Sequence, residues 1–282
     1  MKPAPFDYLR AEGVEEALEA LREAGGEARV LAGGQSLLPM LNMRLARPAL
    51  LVDVMRIPAL AAVREDAGGL TIGAAVRQAA LERRPDLARR QPLLAAALPW
   101  VGHAQTRSQG TLCGSVAHAD PSAEIPLVLV AMRGTVHLRS AHRGARRVPA
   151  ESFFTGLMAT DRAEDEMVEA IALPHAPPGA GCAFREVGRR HGDYAIVACA
   201  AVVDATRGSA RLAVGGVADR PVARGALPPP GDPALDDALD ELAWLLEARD
   251  DLHATAEYRR QLVRRLGRAA IEEAAAACRT PA

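Results

Sequence analysis

Lysine is all but missing from this chain. Of 34 lysines and arginines in 282 residues, Lys2 is the only lysine, which leaves 33 arginines. No interior lysine is present to close a phosphate-cradling P-loop, form a Schiff base or hold pyridoxal phosphate, so several large enzyme classes drop out. Aromatic residues are only 3% of the chain, which leaves little for stacking on single-stranded nucleic acid. The four cysteines, at 113, 182, 199 and 278, show neither zinc-knuckle nor ferredoxin spacing. They read as four reduced thiols of a cytoplasmic protein. The longest apolar stretches, 125–132 and 194–203, fall far short of the ~20 residues that span a bilayer. The opening residues carry a charge but no apolar run, so no targeting segment is expected. A formal net charge of −1 and a pI near 6.7 give no electrostatic reason for a nucleic-acid or anionic-membrane partner.

What is present is an ordinary globular balance, 49% apolar and 24% charged, in a chain long enough for two domains. Val14, Ala17, Leu18 and Leu21 recur at helical spacing, and Gly25-Gly26 ends that helix. Residues 28–32 and 50–54 read as strands, and 37–45 as a helix with Pro39 in its first turn. Residues 61–65 and 70–75 flank Gly68-Gly69 as a hairpin. A helical stretch at 77–101 is broken by Pro85, Pro92 and Pro99. Residues 103–124 are polar, small and rich in hydroxyls, which predicts a ligand loop between well-patterned elements. A buried helix at 125–132 and strands at 135–140 and 167–173 follow. Residues 174–181 are the best linker in the chain. Beyond it come strands at 182–187, 196–204 and 210–217. Two helices close the sequence, one marked by Leu235, Leu239, Leu242 and Leu246, the other by Leu262, Leu266 and Ala270. The order predicts an α+β protein with domains at 1–175 and 182–282.

Two glycine loops carry the candidate chemistry. Ala32-Gly33-Gly34-Gln35-Ser36-Leu37 leaves a predicted strand and opens a predicted helix. Its glycines permit positive φ and close approach of a ligand, and its free amides favour an anion such as phosphate. The alternative is a plain tight turn capped by Ser36. Gly110-Thr111-Leu112-Cys113-Gly114-Ser115 places hydroxyls around a glycine, with Asp120 and Glu124 shortly after it; the alternative is a Gly-Ser surface loop. A dinucleotide has two phosphates and needs more than one cradle, so the loops reinforce each other. Neither fits G-x-G-x-x-G, which disfavours a Rossmann site. Seven histidines include no pair at the spacing of a helical metal site, and no metal is expected. The absence of G-x-S-x-G makes a hydrolase triad of Ser36, Ser115 and His118 unconvincing.

AGGQSLLPMLNMRL at 32–45 followed by GTLCGSVAHADPSAE at 110–124 closely resembles the FAD-binding subunit of the molybdenum hydroxylases. This is the xanthine dehydrogenase family, which includes the medium subunit of aerobic carbon monoxide dehydrogenase. PAPFDYLRAEGVEEALEAL near the start, FFTG at 153–156, HGDYAIVACAAVV at 191–203 and HATAEYRRQLVRRLGRAA at 253–270 extend the resemblance over nearly the whole chain. It implies a two-part FAD-binding domain of the vanillyl-alcohol-oxidase-like kind plus a smaller C-terminal domain of antiparallel sheet and helices.

By the same resemblance, Ala32, Gly33, Gly34, Gln35 and Ser36 would wrap the FAD pyrophosphate, with Leu37 beside them. Thr111, Gly114, Ser115 and His118 would meet the flavin and ribityl side. Glu124 would bind the adenosine ribose, with Asp120 the second choice. Arg185 matches a cation near the isoalloxazine ring, and Tyr194 an aromatic that covers its face. Residue 113 departs from the family pattern, placing a cysteine where a glycine is usual; its thiol is either a small buried filler or a redox-sensitive group. The implied function is a flavoprotein component of an oxidoreductase. It takes electrons from the clusters of a [2Fe-2S] small subunit, which a molybdenum-cofactor large subunit supplies, and hands them to an external acceptor. A stand-alone FAD oxidase and a non-catalytic nucleotide-binding scaffold are the alternatives.

Overall fold

The computed structural model describes residues 2–278; Met1 and residues 279–282, the outer ends of the expected domains, lie outside the described residues. Strand β1 (Asp7–Arg10), helix α1 (Val14–Ala24), strand β2 (Ala28–Leu31), helix α2 (Leu37–Asn42) and strand β3 (Leu50–Asp53) open the chain. The strands form a parallel sheet in the order β1-β3-β2, with Arg10 and Leu31 both aligned on Asp53 at the carboxyl ends. The apolar stripe Val14, Ala17, Leu18 and Leu21 is what α1 buries. The loop at 32–36 leaves the carboxyl end of β2, the side of a parallel sheet where ligands bind.

Strands β4 (Val63–Asp66) and β5 (Gly69–Gly73) form the expected hairpin. Short helices α3 (Gln78–Glu82), α4 (Leu87–Arg90) and α5 (Pro92–Ala97) follow, set apart by the prolines. Segment 103–124 is not a loop as expected. It folds into α6 (Ala104–Gln109) and α7 (Leu112–His118). The Thr111 hydroxyl accepts the Gly114 amide at 2.9 Å and starts α7, and Leu112, Cys113 and Val116 give it a narrow buried stripe. Small polar residues on the other faces hide this period from a hydropathy reading.

Helix α8 (Glu124–Ala131) is buried along its whole length. Strands β6 (Thr135–Ser140) and β7 (Gly144–Pro149), helix α9 (Ala150–Phe153), the small hairpin β8 (Phe154–Gly156) and β9 (Ala159–Thr160), and strand β10 (Met167–Pro174) complete this part. A second, antiparallel sheet runs β4-β5-β10-β6-β7.

Strands β11 (Gly181–Val187), β12 (Val197–Asp204), β13 (Ser209–Gly215) and β14 (Val222–Leu227) make an antiparallel sheet in chain order. Helices α10 (Ala234–Leu245) and α11 (Ala256–Ala277) cover one face of it. Strand β14 was not expected, because Gly225 and the small residues around it give no strand pattern. The sheet has two different faces. Ala183, Val197, Cys199, Ala201, Leu212 and Val214 belong to the core under α10 and α11. Phe184, Ala198, Ala200 and Ala213 belong to the larger core built on the first 174 residues. The alanines of this face are small, so α8 lies close against β12 and β13. A Cβ on Gly215 would meet the Pro121 carbonyl oxygen at 3.1 Å.

Candidate functional site

A cleft of about 640 Å³ runs between the two glycine loops and continues to the loop joining β11 to β12. That volume lies in the range of small-molecule and cofactor sites, roughly 300–1,000 Å³. Ala32, Gly33, Gly34, Gln35, Ser36 and Leu37 line one wall. Thr111, Gly114, Ser115, His118, Glu124 and Tyr194 line the cleft as well, with the Tyr194 side chain hydrogen-bonded to Ser36 of the first loop. Twelve of the fourteen expected site residues therefore meet in one place.

The first loop is built to hold an anion. Among the described residues, the amides of Gly33, Gly34, Gln35 and Ser36 donate to no backbone or side-chain acceptor, and Gly34 sits at φ +70°. Consecutive free amides in such a turn form a concave nest for phosphate oxygens. The Gln35 side chain folds back to donate to the Gly33 carbonyl at 3.2 Å. Gly33 has a different role from the one expected. A Cβ there would lie 2.2 Å from the Gln109 carbonyl oxygen, so its missing side chain lets the two loops abut.

The second wall is held rigidly from behind. Arg107 donates to Glu82 at 2.8 Å and to the carbonyls of Val101 and Gly102, both at 3.1 Å. Thr111 spends its oxygen on the α7 cap, leaving its O–H proton for a ligand. Cys113 also lines the cleft, yet only 2% of it is exposed. Its Sγ faces the Ile72 carbonyl at 3.5 Å, and burial pushes the thiol up to about 12. Of the two readings open from sequence, the buried filler fits this geometry.

Asp120 lies outside the cleft, on an adjoining cavity, where its carboxylate accepts the Ser122 amide at 2.8 Å. Arg185 is not brought to the cleft at all. It points to the helix side of β11, donates to Glu273 of α11 at 2.7 Å and is half exposed. Strand alternation is the reason: the next residue, Glu186, faces the other way. Glu124 sits beside Tyr194 rather than at the far end of the cleft. Its carboxyl is pushed up to about 7, first by burial and further by Asp120. Burial, then Asp120 and Glu124, push the Tyr194 hydroxyl up to about 12.

Several lining residues escaped sequence reading. Arg29, Met158, Thr160, Arg162, Met167 and Val168 form the far end. Arg162 donates to the carbonyls of Ala163 and Glu166, both at 2.8 Å, and burial together with nearby Arg29 lowers its pKa. Gln78 lines the cleft with a buried Oε1 that has no partner among the described residues. None of these stands in a motif; only the fold gathers them.

Residues 4–176 match the family described as the FAD binding domain in molybdopterin dehydrogenase, more than half of the chain. The chain belongs to that family. Residues 182–274 of this flavoprotein match the carbon monoxide dehydrogenase flavoprotein C-terminal domain. It is 34% identical over 284 residues to the caffeine dehydrogenase subunit beta of Pseudomonas sp. (strain CBB1), covering 98% of this chain and 96% of that one. It is 42% identical over 203 residues to the 6-hydroxypseudooxynicotine dehydrogenase complex subunit alpha of Paenarthrobacter nicotinovorans, covering 72% and 68%. Among solved structures, a chain of the carbon monoxide dehydrogenase of Hydrogenophaga pseudoflava superposes with a TM-score of 0.92 at 32% identity, covering 99% of this flavoprotein and 100% of that chain. The flavoprotein is an oxidoreductase component whose cofactor is FAD. The free amides of the first loop and the unpartnered Gln78 oxygen suit such a ligand. Among the described residues no helix is long and apolar enough to cross a membrane.

Proposed function

We propose that this flavoprotein accepts electrons from a [2Fe-2S] small subunit, which a molybdenum large subunit feeds, and delivers them to an external acceptor. When bound, FAD supplies the two-electron chemistry that connects such partners. The nest of four unpaired amides at 33–36 is the observation that carries the cofactor end of this reading. It holds the pyrophosphate. Arg29, Arg162 and the Met158–Val168 region receive the adenosine end. Ser115, His118, Glu124 and Tyr194 surround the ring end, where Tyr194 covers one face.

The partner assignment is supported by the relatives' own names, which call one a subunit of a dehydrogenase complex and the other a dehydrogenase subunit. The cysteines fit it too. They stand on α7, β11, β12 and at the end of α11, with no clustering that would bind iron–sulfur here. Four free thiols also suit a cytoplasmic setting. The two cores and the two family matches support domains at 1–175 and 182–282.

Co-expression with candidate molybdenum large and [2Fe-2S] small subunits, followed by size-exclusion chromatography and flavin analysis, tests the reading. A single complex with one releasable FAD per chain is expected. A chain that elutes alone and oxidises an organic substrate unaided would replace this reading with a stand-alone oxidase.

A further inference from the structure

The far end of the cleft holds two charged side chains whose hydrogen-bonding capacity the fold leaves unused. Arg162 and Glu164 line it together with Arg29 and Val30 of β2. Arg162 is pinned by one nitrogen. Its Nη1 donates to the carbonyls of Ala163 and Glu166, both at 2.8 Å, and to that of Glu164 at 3.3 Å. Its Nε and Nη2 donate to no acceptor among the described residues, and neither atom is sealed from solvent. The acids beside it do not neutralise it. Ser140 and Arg143 hold Asp165, and Arg146 holds Glu166. The Glu164 carboxylate stands over Gly26, where a Cβ would lie 2.8 Å from its Oε2, and it has no hydrogen-bond or ion-pair partner among the described residues.

Arg29 adds a second cation. Its Nη1 is spent on the carbonyls of Gly26 and Ala28 at 2.7 and 2.8 Å, and it too lacks an ion pair among the described residues. Burial, and then the Arg29 charge, lower the Arg162 pKa. A desolvated guanidinium beside a like charge gains from acceptor atoms that a ligand brings. Position selects which part of the ligand arrives. Strand β2 is extended, at ~3.3 Å per residue, so Arg29 stands roughly 13 Å before the nest that starts at Gly33. With the pyrophosphate in that nest and the ring beside Tyr194, the adenosine half extends to Arg29 and Arg162. That half offers adenine nitrogens as acceptors and ribose hydroxyls as donors, the complement of a free guanidinium edge and a free carboxylate.

We propose that Arg162 and Glu164 form an adenosine clamp: the free Nε–Nη2 edge of Arg162 donates to acceptor atoms of the adenine, and the Glu164 carboxylate accepts from the ribose hydroxyls. The clamp makes the chain select FAD over FMN, which lacks the adenosine half. This rests on the assignment of the cleft as the flavin site. The chemistry of the two groups suits the roles. A guanidinium presents two parallel donors in a fixed plane, and a carboxylate beside a phosphate-binding loop accepts from ribose hydroxyls.

The test titrates the flavin-free chain and its Arg162→Lys, Arg162→Met and Glu164→Ala variants with FAD and with FMN, and uses ADP and pyrophosphate as competitors. FAD binding by the unaltered chain comes first, because its failure would defeat the flavin assignment itself. The unaltered chain is expected to bind FAD more tightly than FMN, and ADP to compete better than pyrophosphate. Each variant is expected to bind FAD and ADP about tenfold more weakly, the worth of one charge-assisted hydrogen bond. FMN and pyrophosphate, which do not reach the clamp, should stay within about twofold. Arg162→Lys separates contact from bracing. An ammonium still donates to the loop carbonyls, so the flavin-free variant should melt close to the unaltered chain. It has no flat edge with two donors, so FAD affinity should stay low. FAD affinity within twofold of the unaltered chain in either Arg162→Lys or Glu164→Ala would overturn the proposal. So would a parallel loss of FAD and FMN, the mark of a disturbed cleft. If Arg162→Met fails to fold, the lysine variant carries the comparison.

Discussion

Gly33→Ala adds one methyl group where the two glycine loops touch. Its Cβ would stand 2.2 Å from the Gln109 carbonyl oxygen and 2.7 Å from the Gly110 Cα. Non-bonded contacts of this kind settle near 3.5 Å, so the loops must part by roughly 1 Å. The obstacle is backbone on both sides, which cannot swing away as a side-chain tip can. Overpacking of this kind costs about 1–3 kcal/mol. At about 2–4 °C per kcal/mol for a chain of this size, the melting temperature of the flavin-free protein should fall by roughly 2–12 °C. The same separation moves the amide nest away from the second wall, so FAD affinity should fall more than tenfold. Gly34→Ala is the comparison. Its Cβ meets the flexible Leu38 Cδ1 at 3.0 Å, and its main penalty is the left-handed φ of +70°, about 1–2 kcal/mol. Differential scanning fluorimetry of the apo-protein and flavin-fluorescence titration read the two effects separately. If Gly33→Ala loses FAD at an unchanged melting temperature, Gly33 makes room for ligand and the loop-junction argument is wrong. If neither quantity changes, the first loop is not part of the site.

Cys113 and Cys199, whose thiols burial raises to about 12, should resist alkylation at pH 8 in the native protein and react after unfolding. Rapid native labelling of Cys113 would restore the redox-sensitive reading. Arg185→Ala should leave FAD affinity within twofold, since Arg185 is spent on an exposed pair with Glu273; a tenfold loss would return it to the site. Arg146→Met should destabilise the protein by about 1.5–3 kcal/mol at pH 7, because the buried Glu166 carboxylate loses donors at 2.6 and 2.8 Å. Burial is the largest single influence and raises Glu166, but the Arg146 hydrogen bond, the Ala163 amide and the Arg146 charge together outweigh it and hold the carboxyl below its usual range. That stabilisation is present above the ordinary glutamate pKa and is lost as pH falls through the depressed one. The gap between variant and wild type should therefore narrow towards pH 4 in urea melts, and a pH-independent gap would contradict the assignment.

Elements with a strong hydrophobic period were legible from sequence. Helix α1, the buried α8, the β4–β5 hairpin and strands β11 to β13 lie within a residue or two of where patterning put them. Strand β7 was not legible. Its sequence, Gly-Ala-Arg-Arg-Val-Pro, is exposed along nearly its whole length at a sheet edge, so it carries no alternation to read. Helices α6 and α7 were misread as loop because α6 buries no residue and is tied down by Arg107 bound to Glu82, while α7 shows only a narrow apolar stripe behind the Thr111 cap. The glycine loops were legible because backbone geometry demands glycine in a way composition displays. The far end of the cleft was not, because Arg29 and Arg162 are distant in sequence and acquire their common role only when β2 and the segment before β10 are folded together.

The contrast between Arg185 and Glu186 shows what decides a site on a strand. A one-residue step along β11 moves a side chain from the helix face to the face packed on the larger core. The helix face already offers Arg185 a carboxylate in Glu273, so its charge is satisfied by a contact that touches no ligand. The other face offers Glu186 only the apolar surface of the larger core and another acid, which leaves its Oε2 without a partner among the described residues. The small residues Ala198, Ala200, Ala213 and Gly215 cause that enclosure, because they let α8 settle directly on the sheet and close the space beside Glu186. Larger residues in that row would hold the two parts apart and let water reach the carboxyl. The close fit of the C-terminal sheet against α8 and the unmet hydrogen-bonding capacity of Glu186 are therefore one feature, produced by the same run of alanines.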